Sequence, residues 1–110
     1  MEIKRIEEMT RGWFVGNFNP SVFMTADFEV GYLRHSKGEK WGKHYHKKAI
    51  EINYLIRGKM KIHDHLLTTG DIFTIFPYEI ADPEFLEDCE LIVVKVPSII
   101  GDKYEVEETK

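Results

Sequence analysis

Two histidines two positions apart, His44 and His46, come shortly before a carboxylate, Glu51. On an extended strand, residues i and i+2 point the same way, so both imidazoles reach one point. If the strand that starts near Ile50 turns back beside them, Glu51 joins the pair. Two imidazoles and one carboxylate on one face leave metal positions open. That suits a divalent ion which must also hold substrate or oxygen. Without a metal, the same trio is a general acid–base set. Lys95 is a further candidate, because it interrupts the apolar run Leu91–Val96 on the face of Leu91 and Val93. It either enters a pocket as a proton donor or snorkels to water at the strand end.

These residues need short strands to hold them, and the chain supplies such strands. Phe28, Val30 and Tyr32 alternate with Glu29 and Gly31, a period of two. Ile50 to Ile56 is a second strand, ended by Gly58-Lys59. Met60 and Ile62 alternate with lysines toward a hairpin tip at Asp64-His65. Ile72 to Phe76 is stopped by Pro77, and Leu91 to Val96 by Pro97. Residues 1–20 read as an irregular or edge segment, in which 1–12 is either a short helix or an edge strand. The charged tail from Gly101 is expected to fray at its end. No long run has helical periodicity, so the pattern predicts one all-β domain over residues 1–110, a sandwich or a barrel. The Ile50–Ile56 strand is apolar on both faces. Its Ile50, Ile52, Tyr54 and Ile56 side needs a cover, either a second sheet or a partner subunit, and the expected assembly is a homodimer.

The spacing resembles the first signature of the cupin superfamily: Gly, five residues, His-x-His, three or four residues, Glu, six residues, Gly. Gly38, His44, His46, Glu51 and Gly58 fill every position. The resemblance implies a double-stranded β-helix, or jelly-roll barrel, with His44, His46 and Glu51 as candidate metal ligands. The second cupin signature is only partly present. Gly70-Asp71 opens it, Pro77 comes one residue late, Glu79 stands where Gly is expected, and Asp82 stands where the third histidine is expected. With Asp82 as an oxygen ligand, the two carboxylates would favour iron(II) or manganese over copper. Nickel and zinc are the other candidate ions. The run His44-Tyr45-His46-Lys47-Lys48 also looks like the His-x-His-Lys pattern of cupins that isomerise nucleotide-linked keto-sugars without a metal. Family-level expectations are therefore a small-molecule enzyme acting on a polar substrate such as a sugar or keto acid, or a non-catalytic module that binds a sugar or other effector.

Bulk properties limit the alternatives. Of the 110 residues, 43% are hydrophobic and 13% aromatic, enough for a packed core and too much for a disordered chain. The formal net charge of −4, with no dominant basic run, argues against nucleic acid and anionic membrane as partners. A single cysteine, Cys89, forms no internal disulfide, and it is read as a small core residue rather than a nucleophile. No segment has the roughly 20 apolar residues of a membrane span, so a cytoplasmic location is the expectation. His63 and His65 flank Asp64 at a turn and read as a solvated hairpin tip. Trp41 and Tyr45 are candidates for a pocket mouth.

Overall fold

The computed structural model describes residues 1–106. Apart from a 3-10 turn at Ile6–Glu8, the chain is strands and loops: β1 (Trp13–Gly16), β2 (Phe23–Met24), β3 (Glu29–His35), β4 (His44–Tyr45), β5 (Ile50–Arg57), β6 (Lys59–Ile62), β7 (His65–Thr68), β8 (Ile72–Ile75), β9 (Glu84–Phe85), β10 (Cys89–Val96) and β11 (Tyr104–Glu105). They form a six-stranded sheet in the order β2-β1-β3-β10-β5-β8, a three-stranded sheet β7-β6-β9 and a two-stranded ribbon β11-β4. This is the all-β, double-stranded β-helix arrangement that the strand pattern and the first signature lead one to expect.

The register of the large sheet explains where the core ends and the site begins. β10 lies between β3 and β5, antiparallel to both. Its inward residues Leu91, Val93 and Lys95 face Leu33, Gly31 and Glu29 on β3, and Leu55, Asn53 and Glu51 on β5. Along this inner face the chemistry runs from three leucines, through a Gly–Val–Asn row, to a row of Glu29, Lys95 and Glu51. The apolar end closes on Met60, Phe85 and Cys89 in one cluster with Leu55, Leu91 and Val93. Burying these side chains, at roughly 25 cal/mol per Å² of apolar surface, drives the sheets together. Gly31 is small for a reason: a Cβ there would lie 2.7 Å from the Trp13 ring, which packs across it. The Cys89 thiol is buried and donates to the Lys59 carbonyl at 3.2 Å, as a core cysteine should.

Two terminal segments are more ordered than their composition suggests. Trp13–Gly16 is not irregular but a sheet strand beside β3, with a register shift between Trp13 and Val15. Such a bulge breaks simple alternation and hides the strand in the sequence. After Gly101 the chain is tied down rather than loose. The Asp102 carboxylate is buried and accepts from the backbone N–H groups of Lys47, Lys48 and Ala49, at 3.0, 3.1 and 2.9 Å. β11 then pairs with β4, placing Glu105 beside His44. The final residues, 107–110, where fraying was expected, lie outside the described residues.

The outer face of the large sheet is apolar. Tyr54 is flanked by Ile72 and Ile92, and Ile52 by Val94 and Thr74. Ile52, Tyr54, Ile56, Ile72 and Val96 are exposed. Among the described residues, no helix is long and apolar enough to cross a membrane.

Candidate functional site

At its charged end the barrel opens into a cavity of about 830 Å³. His44, His46, Glu51 and Lys95, all singled out from the sequence, line it together. β4 carries His44, whose backbone pairs with Ala81 in both directions at 3.0 and 2.8 Å. His46 follows β4, so the two imidazoles share a side, with ring centroids 5.8 Å apart and planes at 77°. Both are buried. β5 brings in Glu51, and β10 sets Lys95 directly opposite it.

Glu51 is the electrostatic centre. One carboxylate oxygen lies 3.5 Å from His46 Nε2 and 4.0 Å from Lys95 Nζ. The other accepts from Asn53 Nδ2 at 3.2 Å. Burial alone would raise this carboxyl, but the nearby His46 imidazole, the Lys95 ammonium and the Asn53 amide more than reverse that and hold it below the ordinary carboxylate range. Lys95 also covers the Trp13 ring, 4.9 Å from its centroid. On its far side is Glu29, a cavity residue missed in the sequence reading. Burial dominates there and raises the Glu29 carboxyl, although Lys95, His46 and Ser98 oppose it. Lys95 thus lies between a carboxyl whose proton affinity is raised and one whose proton affinity is lowered.

The histidines are each fixed through one nitrogen. His46 Nδ1 donates to the Asp102 carbonyl at 2.5 Å, and its Nε2 is a buried polar atom with no hydrogen-bond partner. His44 Nδ1 lies 3.3 Å from the Gly42 carbonyl. Burial pushes the His44 imidazole down from its ordinary value of 6.5 and keeps it neutral. A third histidine, His35, also lines the cavity. Its Nδ1 pairs with Glu39 at 2.6 Å, its ring stacks on Phe85, and the Trp41 indole N–H reaches Glu39 at 2.6 Å. This cluster pins Trp41 at the cavity wall. Nothing in the local sequence pairs His35 with Glu39, since the link depends on how the turn after β3 folds.

Asp82 is not part of this set. It is exposed and lies outside the cavity lining. Its neighbour Ala81 pairs with His44 and is buried, so alternation turns Asp82 to solvent. Tyr45 stacks between Tyr78 and Tyr104 and packs the ribbon rather than the cavity. His63 bonds to Glu79 at 3.2 Å and to the Ile80 carbonyl, and His65 is exposed, as a hairpin tip requires.

The side chains also test whether a divalent ion would fit. His46 meets one requirement of a metal-bound histidine, since one nitrogen is held by a carbonyl and the other is orphaned. The remaining donors do not meet it. Among the described residues, no three His, Cys, Asp or Glu side chains converge as a ligand cluster. One Glu51 oxygen accepts from Asn53 and the other lies 4.0 Å from the Lys95 ammonium, and Asp82 is turned away. As they stand, the described side chains do not form a closed ligand set.

No family model and no curated protein matches the sequence. Solved structures match the fold. An uncharacterized conserved protein with a double-stranded β-helix domain from Klebsiella pneumoniae superposes with a TM-score of 0.71 at 20% identity, over 96% of this chain and 92% of that one. KdgF from Halomonas sp. gives 0.64 at 21% identity, over 68% and 74%. The DMSP lyase DddQ from Ruegeria pomeroyi gives 0.69 at 13% identity, over 84% of this chain and about half (48%) of that one. The fold of this chain is that of the cupins.

Proposed function

We propose that the protein is a small-molecule cupin that moves a proton on a polar substrate, a sugar or keto acid, at His44, His46, Glu51 and Lys95. The observation that carries this is the Lys95–Glu51–His46 chain of contacts on the wall of the 830 Å³ cavity, with a neutral His44 beside it. A buried neutral imidazole is a general base. His44 takes the proton from the carbon next to a substrate carbonyl. The Lys95 ammonium faces the negative charge that then develops on the carbonyl oxygen. Glu51 holds Lys95 in place beside His46. Return of the proton to the adjacent carbon gives isomerisation, and return to the same carbon from the opposite face gives epimerisation. The shared fold with a DMSP lyase is consistent with a barrel that hosts enzymes, and the substrate class rests on the cavity alone.

The test is proton exchange. A panel of keto-sugars and 2-keto acids is incubated with the protein in D2O and followed by NMR. Exchange at the carbon next to the carbonyl, lost in His44→Ala and strongly reduced in Lys95→Met, supports the reading. Binding without exchange favours the non-catalytic module. A second reading, a divalent ion on His44 and His46, is favoured by the orphaned His46 Nε2. It requires Lys95 to leave Glu51. Metal analysis of protein purified without an affinity tag decides it: stoichiometric iron, manganese, nickel or zinc that disappears in His44→Ala would replace the acid–base reading. The exposed apolar outer face of β5, β8 and β10 supports a homodimer formed through that face.

A further inference from the structure

Most carboxylates lining the cavity are matched within the protein, Glu29 being the one without an ion pair within 4.0 Å among the described residues. Glu51 has His46 and Lys95, Glu39 has His35 and Trp41, Asp102 has three backbone N–H groups, and Glu7 has Arg5. Arg34 donates to the Tyr32 hydroxyl at 3.2 Å. Two cations remain. Neither Arg11 nor Lys103 has a carboxylate within 4.0 Å among the described residues. Both line the cavity. Instead of a carboxylate, the Lys103 ammonium lies over the Trp41 ring, 4.2 Å from its centroid. Desolvation there, with Lys95 and Arg11 nearby, lowers its affinity for a proton, and Glu105 and Glu51 only partly offset this.

The backbone at Arg11 is a second, independent sign. Arg11 and Gly12 have φ of 51° and 87°, and Trp13 N–H bonds to the Thr10 carbonyl at 3.1 Å. Such a turn favours Asn, Asp or Gly at its first central position. An arginine there costs about 1 kcal/mol or more of backbone strain. Gly12 is forced, because a Cβ would lie 1.9 Å from the Tyr32 carbonyl oxygen. Nothing local forces an arginine at 11. Its side chain is exposed and borders the cavity.

Building on the proposed function, we infer that Arg11 and Lys103 form an anion subsite at the cavity wall beside Trp41, and that the substrate carries a phosphate group. Two cations without a carboxylate partner among the described residues match a phosphate dianion better than a single carboxylate. A guanidinium fork with an ammonium point charge is a common phosphate pair. The Trp41 ring, pinned by Glu39, supplies a flat apolar surface for whatever bears the phosphate.

The experiment is an NMR titration of the full-length protein with inorganic phosphate, then pyrophosphate, with acetate and citrate as carboxylate controls. The expected result is saturable shifts at Arg11, Lys103 and the Trp41 indole N–H. Binding should weaken about tenfold in Lys103→Gln and in Arg11→Gly, since a charged hydrogen bond lost at a partly solvated site is worth about one factor of ten. Arg11→Gly suits the turn and keeps it folded. Lys61→Ala, on the outside of the barrel, should leave binding unchanged. Three results would overturn the inference: no saturable shift at tens of millimolar phosphate, equal binding by the double variant, or equal binding of acetate. Proton exchange by His44 is read separately, so this subsite can fail while the acid–base reading stands, and the reverse.

Discussion

Asp102 ties the chain's final segment to the loop after His46, and removing its carboxylate should cost more stability than any exposed position would. The carboxylate accepts three backbone N–H groups, and the carbonyl of the same residue holds His46. Hydrogen bonds to a charged acceptor contribute about 1.5–3 kcal/mol each when buried. Lys47 and Lys48 are exposed and their N–H groups can find water, whereas Ala49 is buried and cannot. The expected cost of Asp102→Ala is therefore about 3 kcal/mol, one orphaned donor at full penalty and two partly rehydrated. In a domain of this size that lowers Tm by about 13 °C. Asp102→Asn keeps one acceptor oxygen and should cost about half as much. Urea unfolding followed by tryptophan fluorescence gives both values, and the His46 ring signals report the site. A loss within about 0.5 kcal/mol of zero, with His46 unmoved, would refute the idea that this carboxylate anchors the site.

Other outcomes follow from the same geometry. Leu55→Ala removes a fully buried side chain between β10 and β6 and should cost about 3–4 kcal/mol by urea denaturation. Gly58→Ala should cost more than about 2 kcal/mol, because Gly58 has φ of 110° and its Cβ would lie 2.4 Å from the Asp88 carbonyl oxygen. Stability should fall with acid in two stages. His44 has a folded pKa below its unfolded value, so its contribution is full above about pH 6.5 and is lost as pH falls below that. Glu51 and Asp102 are also depressed, so theirs is full above their ordinary values of 4.5 and 3.8 and is lost on further acidification. Glu29, raised, adds a smaller trend of opposite sign. Urea midpoints between pH 3 and 8 would check this order, about 1.4 kcal/mol per unit of pKa shift. Light scattering should show a dimer that Ile52→Lys with Tyr54→Lys disperses.

The histidines and Glu51 were legible because one signature fixes them at short range. Lys95 was legible because a cation inside an apolar strand breaks its pattern. Glu29 and Arg11 depend on which strand pairs with which, and that register only exists once β10 lies between β3 and β5. Asp102 gave no local sign, since its partners are 53 to 55 residues away. Asp82 misled because a signature position was read without its strand: one residue after a buried, paired alanine, alternation points it outward. Nothing local pairs His35 with Glu39, and only their folded contact makes them a unit.

The most direct measurement is the nitrogen-15 NMR titration of His44 in the wild type and in Glu51→Gln. His44 should titrate below 6.5, with its proton on Nδ1 facing the Gly42 carbonyl. Its pKa should fall further in Glu51→Gln, because Glu51 is one of the charges that favour its protonated form. A His44 that titrates at or above 6.5 and does not respond to Glu51 would contradict a coupled acid–base cluster in this cavity.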